Sequence, residues 1–289
     1  MSDKILILGL GSIGQRHARN ALALGCEVVG YDPIPKPEIL LRPGQKLIQC
    51  ESLAAALAHR PLGVIVATPP ETHWQIGFLV SKATLPCLIE KPLSSDLSGA
   101  VGLCHAFDKQ SVPLAVGYQF RHTAALRRLK AQADAGEFGT IYAAHAEFAS
   151  QKWCSKTYPA DLLLECSHEL DLLRWFLGDP QSVVAHLGDR RLASVIVAFG
   201  GTMKATVNLD GYAPGYHRSF TLYGTKGQVE WILDQAENDQ AYVDELAEFL
   251  RVCRGEQAAP SCTGRDGWWA VRMVEAIRRS GESGRWEAA

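Results

Sequence analysis

The sequence predicts an α/β protein in two parts: a doubly wound parallel sheet first, then an α+β half with an open, mostly antiparallel sheet. Three observations carry this. From Ile5 to about Gly117, short continuous apolar runs alternate with helical stretches, the pattern of a sheet covered on both faces. The first run is followed by Gly9, Gly11 and Gly14, spaced G-x-G-x-x-G, and then by a helical stretch, QRHARNALAL. After about Gln119 several strands come close together with short loops, which suits antiparallel or mixed pairing.

The first stretch, KILILGLGSIG, is a strand, a glycine turn and a helix start, the context in which this spacing marks a dinucleotide site. Gly9 allows the tight turn, Gly11 lets a pyrophosphate approach the backbone, and Gly14 lets helix and strand pack closely. With Ser12 and Ile13 they open a helix whose N-terminus offers free N–H groups to phosphates. Gly25 stands where that helix would be capped. The next strand, CEVVGYD, ends in Asp32, eighteen residues after Gly14, where a carboxylate would hydrogen-bond the adenosine ribose. Asp32 repels a 2′-phosphate and Pro33-Ile34-Pro35 supplies no arginine, so NAD is favoured; Lys36 keeps NADP open.

Further strands are expected at 46–49, 62–67 (LGVIVA), 87–90 (CLIE) and 112–117, with helices after Ser52, over 71–82 and from about Ser95 to Gln110. Two strand ends lie where ligands of such sheets sit. One runs into Thr68-Pro69-Pro70-Glu71-Thr72-His73, the other into Glu90-Lys91-Pro92. The second half reads as a helix over 123–135, a strand over 141–148, an irregular stretch to 160, a helix over 161–177, five strands to Ile232 and two closing helices.

At 289 residues, two domains are the default. A hydrophobic fraction of 47% suffices for packed cores, and a net charge of −2 gives no basic field for nucleic acid. No apolar run approaches a membrane span, and no signal-peptide pattern opens the chain. The eight cysteines are scattered without a C-x-x-C pair and read as buried thiols of a reducing cytoplasm, with no metal site.

Chemistry at a nicotinamide needs a proton donor or acceptor beside the reacting carbon. Lys91, at a strand's carboxyl end, is one candidate; read alone it is equally a solvated lysine pairing with Glu90. His168 is the other. It lies between Glu165 and Asp171 at helical three-residue spacing, so both carboxylates are expected to reach its imidazole. Read alone it is more readily a satisfied core histidine in a structural ion network. Arg16 either flanks a pyrophosphate or is a surface arginine. Tyr118 and Arg121 (GYQFRH) stand at the junction of the two halves, where a cleft is expected. Trp153 and Tyr158 precede the histidine helix and either meet a sugar-like substrate or pack. His73 is either a core or capping residue or a cofactor contact.

The ordered set GLGSIGQRH, ATPPETH, EKP, GYQFR and HELDLLRWFLGD resembles the glucose–fructose oxidoreductase / inositol dehydrogenase (Gfo/Idh/MocA) family over nearly the whole chain. The resemblance implies a Rossmann domain over 1–118 that binds NAD(P), and a substrate-binding, dimer-forming domain over 119–289. It implies cofactor contacts from Gly9, Gly11, Gly14, Asp32, Thr68, Pro69, His73 and the E-K-P segment, and catalytic roles for Lys91 and His168. Two departures stand out: glycines that often precede the histidine are absent, and Glu165 holds the place of an aspartate. The expected function is NAD-dependent hydride transfer at a hydroxyl of a sugar, sugar-nucleotide or cyclitol by a homodimer or tetramer. The alternatives are a cofactor-binding sensor without turnover and a redox-neutral enzyme with tightly held NAD.

Overall fold

The computed structural model describes residues 3–34, 47–151, 161–189 and 191–289. Lys36, Trp153 and Tyr158 lie outside them.

The chain forms two compact units, Met1–Gln119 with Tyr242–Trp268, and Phe120–Ala241 with Trp269–Ala289. The first unit holds β1 (Lys4–Leu8), α1 (Ser12–Ala23), β2 (Glu27–Tyr31), β3 (Leu47–Cys50), α2 (Leu53–Ala58), β4 (Gly63–Val66), α3 (His73–Lys82), β5 (Cys87–Glu90), α4 (Leu97–Gln110) and β6 (Leu114–Gly117). Its six strands are all parallel, in the order β3-β2-β1-β4-β5-β6. The continuous apolar runs follow from this: Ile5, Leu6, Ile7, Val64, Ile65 and Val66 are wholly buried because helices cover both faces.

Local chemistry sets the helix starts. Ser52 Oγ accepts from Ala55 N at 3.1 Å and opens α2. Asp96 accepts from Gly99 N at 2.8 Å, so α4 begins at Leu97, later than expected. The stretch from Pro70 begins as a 3₁₀ turn, Pro70–Thr72, before α3. At the end of α1, Gly25 has φ +84°, a conformation that glycine adopts without strain.

The second unit begins with α5 (Ala124–Asp134) and β7 (Ile141–Ala149). It continues with α6 (Leu162–Glu165), α7 (Ser167–Leu177), β8 (Ser182–Leu187), β9 (Leu192–Ala198), β10 (Lys204–Asp210), β11 (His217–Gly224) and β12 (Gly227–Ile232). Then α8 (Gln235–Cys253) and α9 (Gly264–Ser283) precede β13 (Glu287–Ala288). The sheet order is β12-β11-β7-β10-β9-β8-β13, antiparallel except for the parallel β7–β10 pair. Its strands alternate: on β9, Ala193, Val195 and Val197 are buried, while Leu192 and Ile196 are 40% and 41% exposed. The inward residues pack on Leu126 and Leu129 of α5, Leu170 and Leu173 of α7, and Met273, Val274 and Ile277 of α9.

Two expectations are corrected. The helix expected over 161–177 is broken at Cys166 (φ −95°, ψ 21°), so Glu165 ends α6 while His168 lies in the first turn of α7. The stretch 242–268, expected in the second domain, packs with the first unit. Leu246, Phe249 and Leu250 of α8 fill a core with Ala18 and Ala21 of α1, Ile65 of β4 and Leu88 of β5. Val116 N donates to Cys262 O at 3.2 Å. On this face of the parallel sheet α8 completes the cover that α1 begins.

Candidate active site

The glycine turn is built as its spacing requires. Gly9 has φ +90°, and a Cβ there would lie 2.6 Å from Ala67 O. A Cβ on Gly14 would lie 1.8 Å from Gly9 O, so the first turn of α1 fits against the strand end only without a side chain. Gly11 is different: a Cβ there would meet nothing within 4 Å, so its backbone borders open space. From Gly11 onward α1 starts with no acidic residue in its first turn, and the N–H groups of Ser12, Ile13 and Gly14 precede the first intrahelical donor, Gln15 N, which bonds Gly11 O at 2.9 Å.

Asp32 stands across the turn. One carboxylate oxygen accepts from Leu10 N at 2.8 Å and the other from Ile34 N at 2.9 Å. These bonds fix the carboxylate beside the glycines and leave it lone pairs for a ribose diol. An open approach at Gly11, free amides at the start of α1 and an anchored carboxylate together fit a dinucleotide.

His73 is wholly buried. Its Nδ1 lies 2.8 Å from Pro92 O and its Nε2 2.9 Å from Thr68 O. Burial pushes its pKa below the ordinary histidine value, against the two carbonyls and the charges of Glu90 and Glu71, which favour the cation. It therefore braces the Thr68-Pro69 loop to the E-K-P turn, and no face of it is open to a cofactor. Thr72 Oγ1 donates to Thr68 Oγ1 at 2.7 Å and tightens the same loop.

Glu90 also turns inward. Its Oε1 lies 2.7 Å from His17 Nε2 on α1, and its Oε2 accepts from Lys91 N at 3.3 Å. The Lys91–Pro92 peptide bond is cis. Tyr118, expected at a substrate, is fully buried in the first unit.

In the second unit His168 is 4% exposed, and its ring lies 4.4 Å from the Phe120 ring, tilted by 38°. Asp171 has Arg121 as a partner. Arg121 Nε donates to Asp171 Oδ2 at 2.8 Å and its Nη2 to Oδ1 at 2.6 Å, a bidentate pair that is almost wholly buried. Arg121 also stands 5.7 Å from the Trp175 ring centre. Glu165, half-buried on the far side of the helix break, is not a turn-neighbour of His168 along one helix.

The sequence reading passed over Glu169 and Arg218. Arg218 Nε lies 2.7 Å from Glu169 Oε1, an ion pair by distance rather than an aligned hydrogen bond. The guanidinium is stacked 4.5 Å from the Phe148 ring centre and 5.0 Å from that of Phe120. His168, Phe120, Arg218 and Glu169 form one packed group. Its only sequence signal was an arginine at an inward position of a strand (HRSFTLYG), which apolar patterning does not flag.

Comparison with known proteins agrees with this geometry. A model described as an oxidoreductase family with an NAD-binding Rossmann fold matches residues 4–118, and a GFO/IDH/MocA C-terminal domain model matches 126–230. A myo-inositol dehydrogenase of Streptomyces leeuwenhoekii, Hyg17, is 24% identical over 97% of this chain and 98% of its own length. The crystal structure of GenD2 from gentamicin A biosynthesis, in complex with NAD, superposes with a TM-score of 0.89 at 21% identity, over all of this chain and 96% of that one. Scyllo-inositol dehydrogenase from Lactobacillus casei, with bound NAD(H) and scyllo-inositol, gives 0.85 at 19% identity, over 100% and 99%. With both family models matched in order along one chain, and the glycine turn formed as an NAD-binding fold requires, this chain belongs to the Gfo/Idh/MocA oxidoreductase family.

Proposed function

We propose that this protein is an NAD-dependent dehydrogenase that moves a hydride between nicotinamide and a hydroxyl-bearing carbon of a cyclitol or a related sugar. The observation that carries the reading is the glycine turn: Gly11 borders open space, Gly14 admits no side chain, and Asp32 is anchored beside them. The inositol dehydrogenases among its relatives support a cyclitol over a sugar-nucleotide.

Bound NAD supplies the hydride acceptor, and the chain supplies the rest. The amides of Ser12, Ile13 and Gly14 take the pyrophosphate, and the Asp32 carboxylate takes the ribose hydroxyls and repels a 2′-phosphate, so NAD is preferred to NADP. Lys91 and His168 share the proton of the reacting hydroxyl. Glu90 and His73 hold the E-K-P turn and the Thr68-Pro69 loop from behind. The protein works in the cytoplasm as a homodimer or tetramer joined through the open face of the second sheet.

Turnover of a panel of cyclitols, hexoses and sugar-nucleotides with NAD and with NADP tests the proposal. The expected result is NAD reduction with at least one cyclitol and weaker use of NADP. Tight NADH binding with no turnover of any panel member would replace the dehydrogenase by a cofactor-binding sensor. Nicotinamide copurifying in a redox-neutral conversion would point to the tightly held cofactor.

A further inference from the structure

In the first unit three carboxyl groups and an imidazole are buried together. His17 comes from α1, Glu90 from the end of β5, and Glu245 and Glu248 from α8; they are 0%, 8%, 3% and 6% exposed. Glu90 has His17 as its partner at 2.7 Å and the Lys91 amide at 3.3 Å. Glu248 accepts from Ser261 N at 2.6 Å. Among the described residues neither oxygen of Glu245 has a hydrogen-bond partner, and the charges that act on it are Glu90 and Glu248. Arg16 sits over the Tyr242 ring at 4.6 Å, and that ring stands edge-on to His17 at 6.1 Å. The titratable groups on the elements that carry this cluster are Arg16, His17 and Arg19 of α1, Glu90 and Lys91 at the end of β5, and Glu237, Asp239, Tyr242, Asp244, Glu248, Arg251 and Cys253 of α8 itself, with Tyr118 after β6.

Buried carboxylates side by side do not all ionise. Glu90 has an imidazole and Glu248 an amide, so Glu245 is the member that stays neutral. We propose that Glu245 is a positioning residue of the cofactor half: without a charge of its own it leaves the Glu90–His17 contact undisturbed, and this contact holds the E-K-P turn, with Lys91, against the helix that starts at the glycine turn. Burial and the two neighbouring carboxylates push its pKa well above the ordinary carboxylate range. When Glu245 loses its proton, a second negative charge stands beside Glu90. Repulsion between the two turns Glu90 from His17 and loosens the link between α1 and the E-K-P turn.

The inference rests on reading the first unit as an NAD-binding half, so the test is NADH affinity rather than turnover. NADH fluorescence titrations from about pH 6 to 9.5 are compared for wild type and Glu245→Gln, which keeps the shape of the neutral acid. At the acid end the two are expected to bind equally. As pH rises the wild-type Kd weakens by up to about tenfold per pH unit once Glu245 titrates, and the Glu245→Gln Kd does not follow. Melting temperature gives a second readout. The folded state holds the Glu245 proton and the unfolded state releases it above the ordinary carboxylate pKa, so wild-type stability falls with rising pH. The advantage of Glu245→Gln in melting temperature should widen from about pH 5 upward. A flat wild-type Kd across the range, parallel profiles, or Glu245→Gln already weakened at the acid end overturns the inference while leaving the dehydrogenase reading standing. No NADH binding at any pH overturns both.

Discussion

Asp171→Ala separates two accounts of the histidine helix. Spacing along the chain assigns the Asp171 carboxylate to His168; the folded structure gives it to Arg121 through two hydrogen bonds of 2.6 and 2.8 Å. The side chains of the pair are 4% and 2% exposed, so removing the carboxylate leaves a guanidinium charged and out of water. Breaking such a buried pair costs about 3–5 kcal/mol. At about 2–4 °C per kcal/mol for a protein of this size, the melting temperature should fall by about 6–20 °C. Calorimetry and guanidinium unfolding measure it, with turnover read on the folded fraction. The double variant Arg121→Met/Asp171→Leu leaves no stranded charge and should recover most of the loss. The reasoning fails if Asp171→Ala loses under about 1 kcal/mol and turnover collapses. That outcome would mean the carboxylate serves the imidazole after all.

Three further outcomes follow from the geometry. Gly14→Ala should disrupt the turn, because its Cβ would lie 1.8 Å from Gly9 O, whereas Gly11→Ala (φ −68°, open space) should fold within about 0.5 kcal/mol of wild type yet bind NADH at least about tenfold more weakly; normal NADH binding by Gly11→Ala would remove the phosphates from that turn. Lys91→Ala and His168→Ala should each lower turnover by about two to four orders of magnitude in protein that melts normally; full activity in folded His168→Ala would make that histidine a packing residue. Light scattering at micromolar concentration should give a dimer or tetramer, with Leu192 and Ile196 on the outward side of β9 in the interface; a monomer refutes the assembly.

What the sequence determined by itself is what depends on near neighbours. Gly9, through its positive φ, and Gly14, through the space a Cβ would need, dictate their turn over six residues, with Gly11 bordering open space between them. Asp32 follows the glycines at a spacing set by one helix and one strand. The helix start at Ser52, and the change from continuous to alternating apolar runs, are equally local, and with them the fold class was legible. The tertiary structure decided what depends on partners far along the chain. Arg121 and Asp171 are fifty residues apart, and His17 and Glu90 seventy-three, so no periodicity couples them. The break at Cys166 took Glu165 from the helix of His168. Packing, not pattern, sent the second part of α8 to the first unit: its apolar stripe shows that a face must be buried, but not against which sheet. Buried charges behave likewise. A carboxylate goes to whichever cation the fold desolvates with it, and the cost of leaving either one unpaired exceeds any local preference.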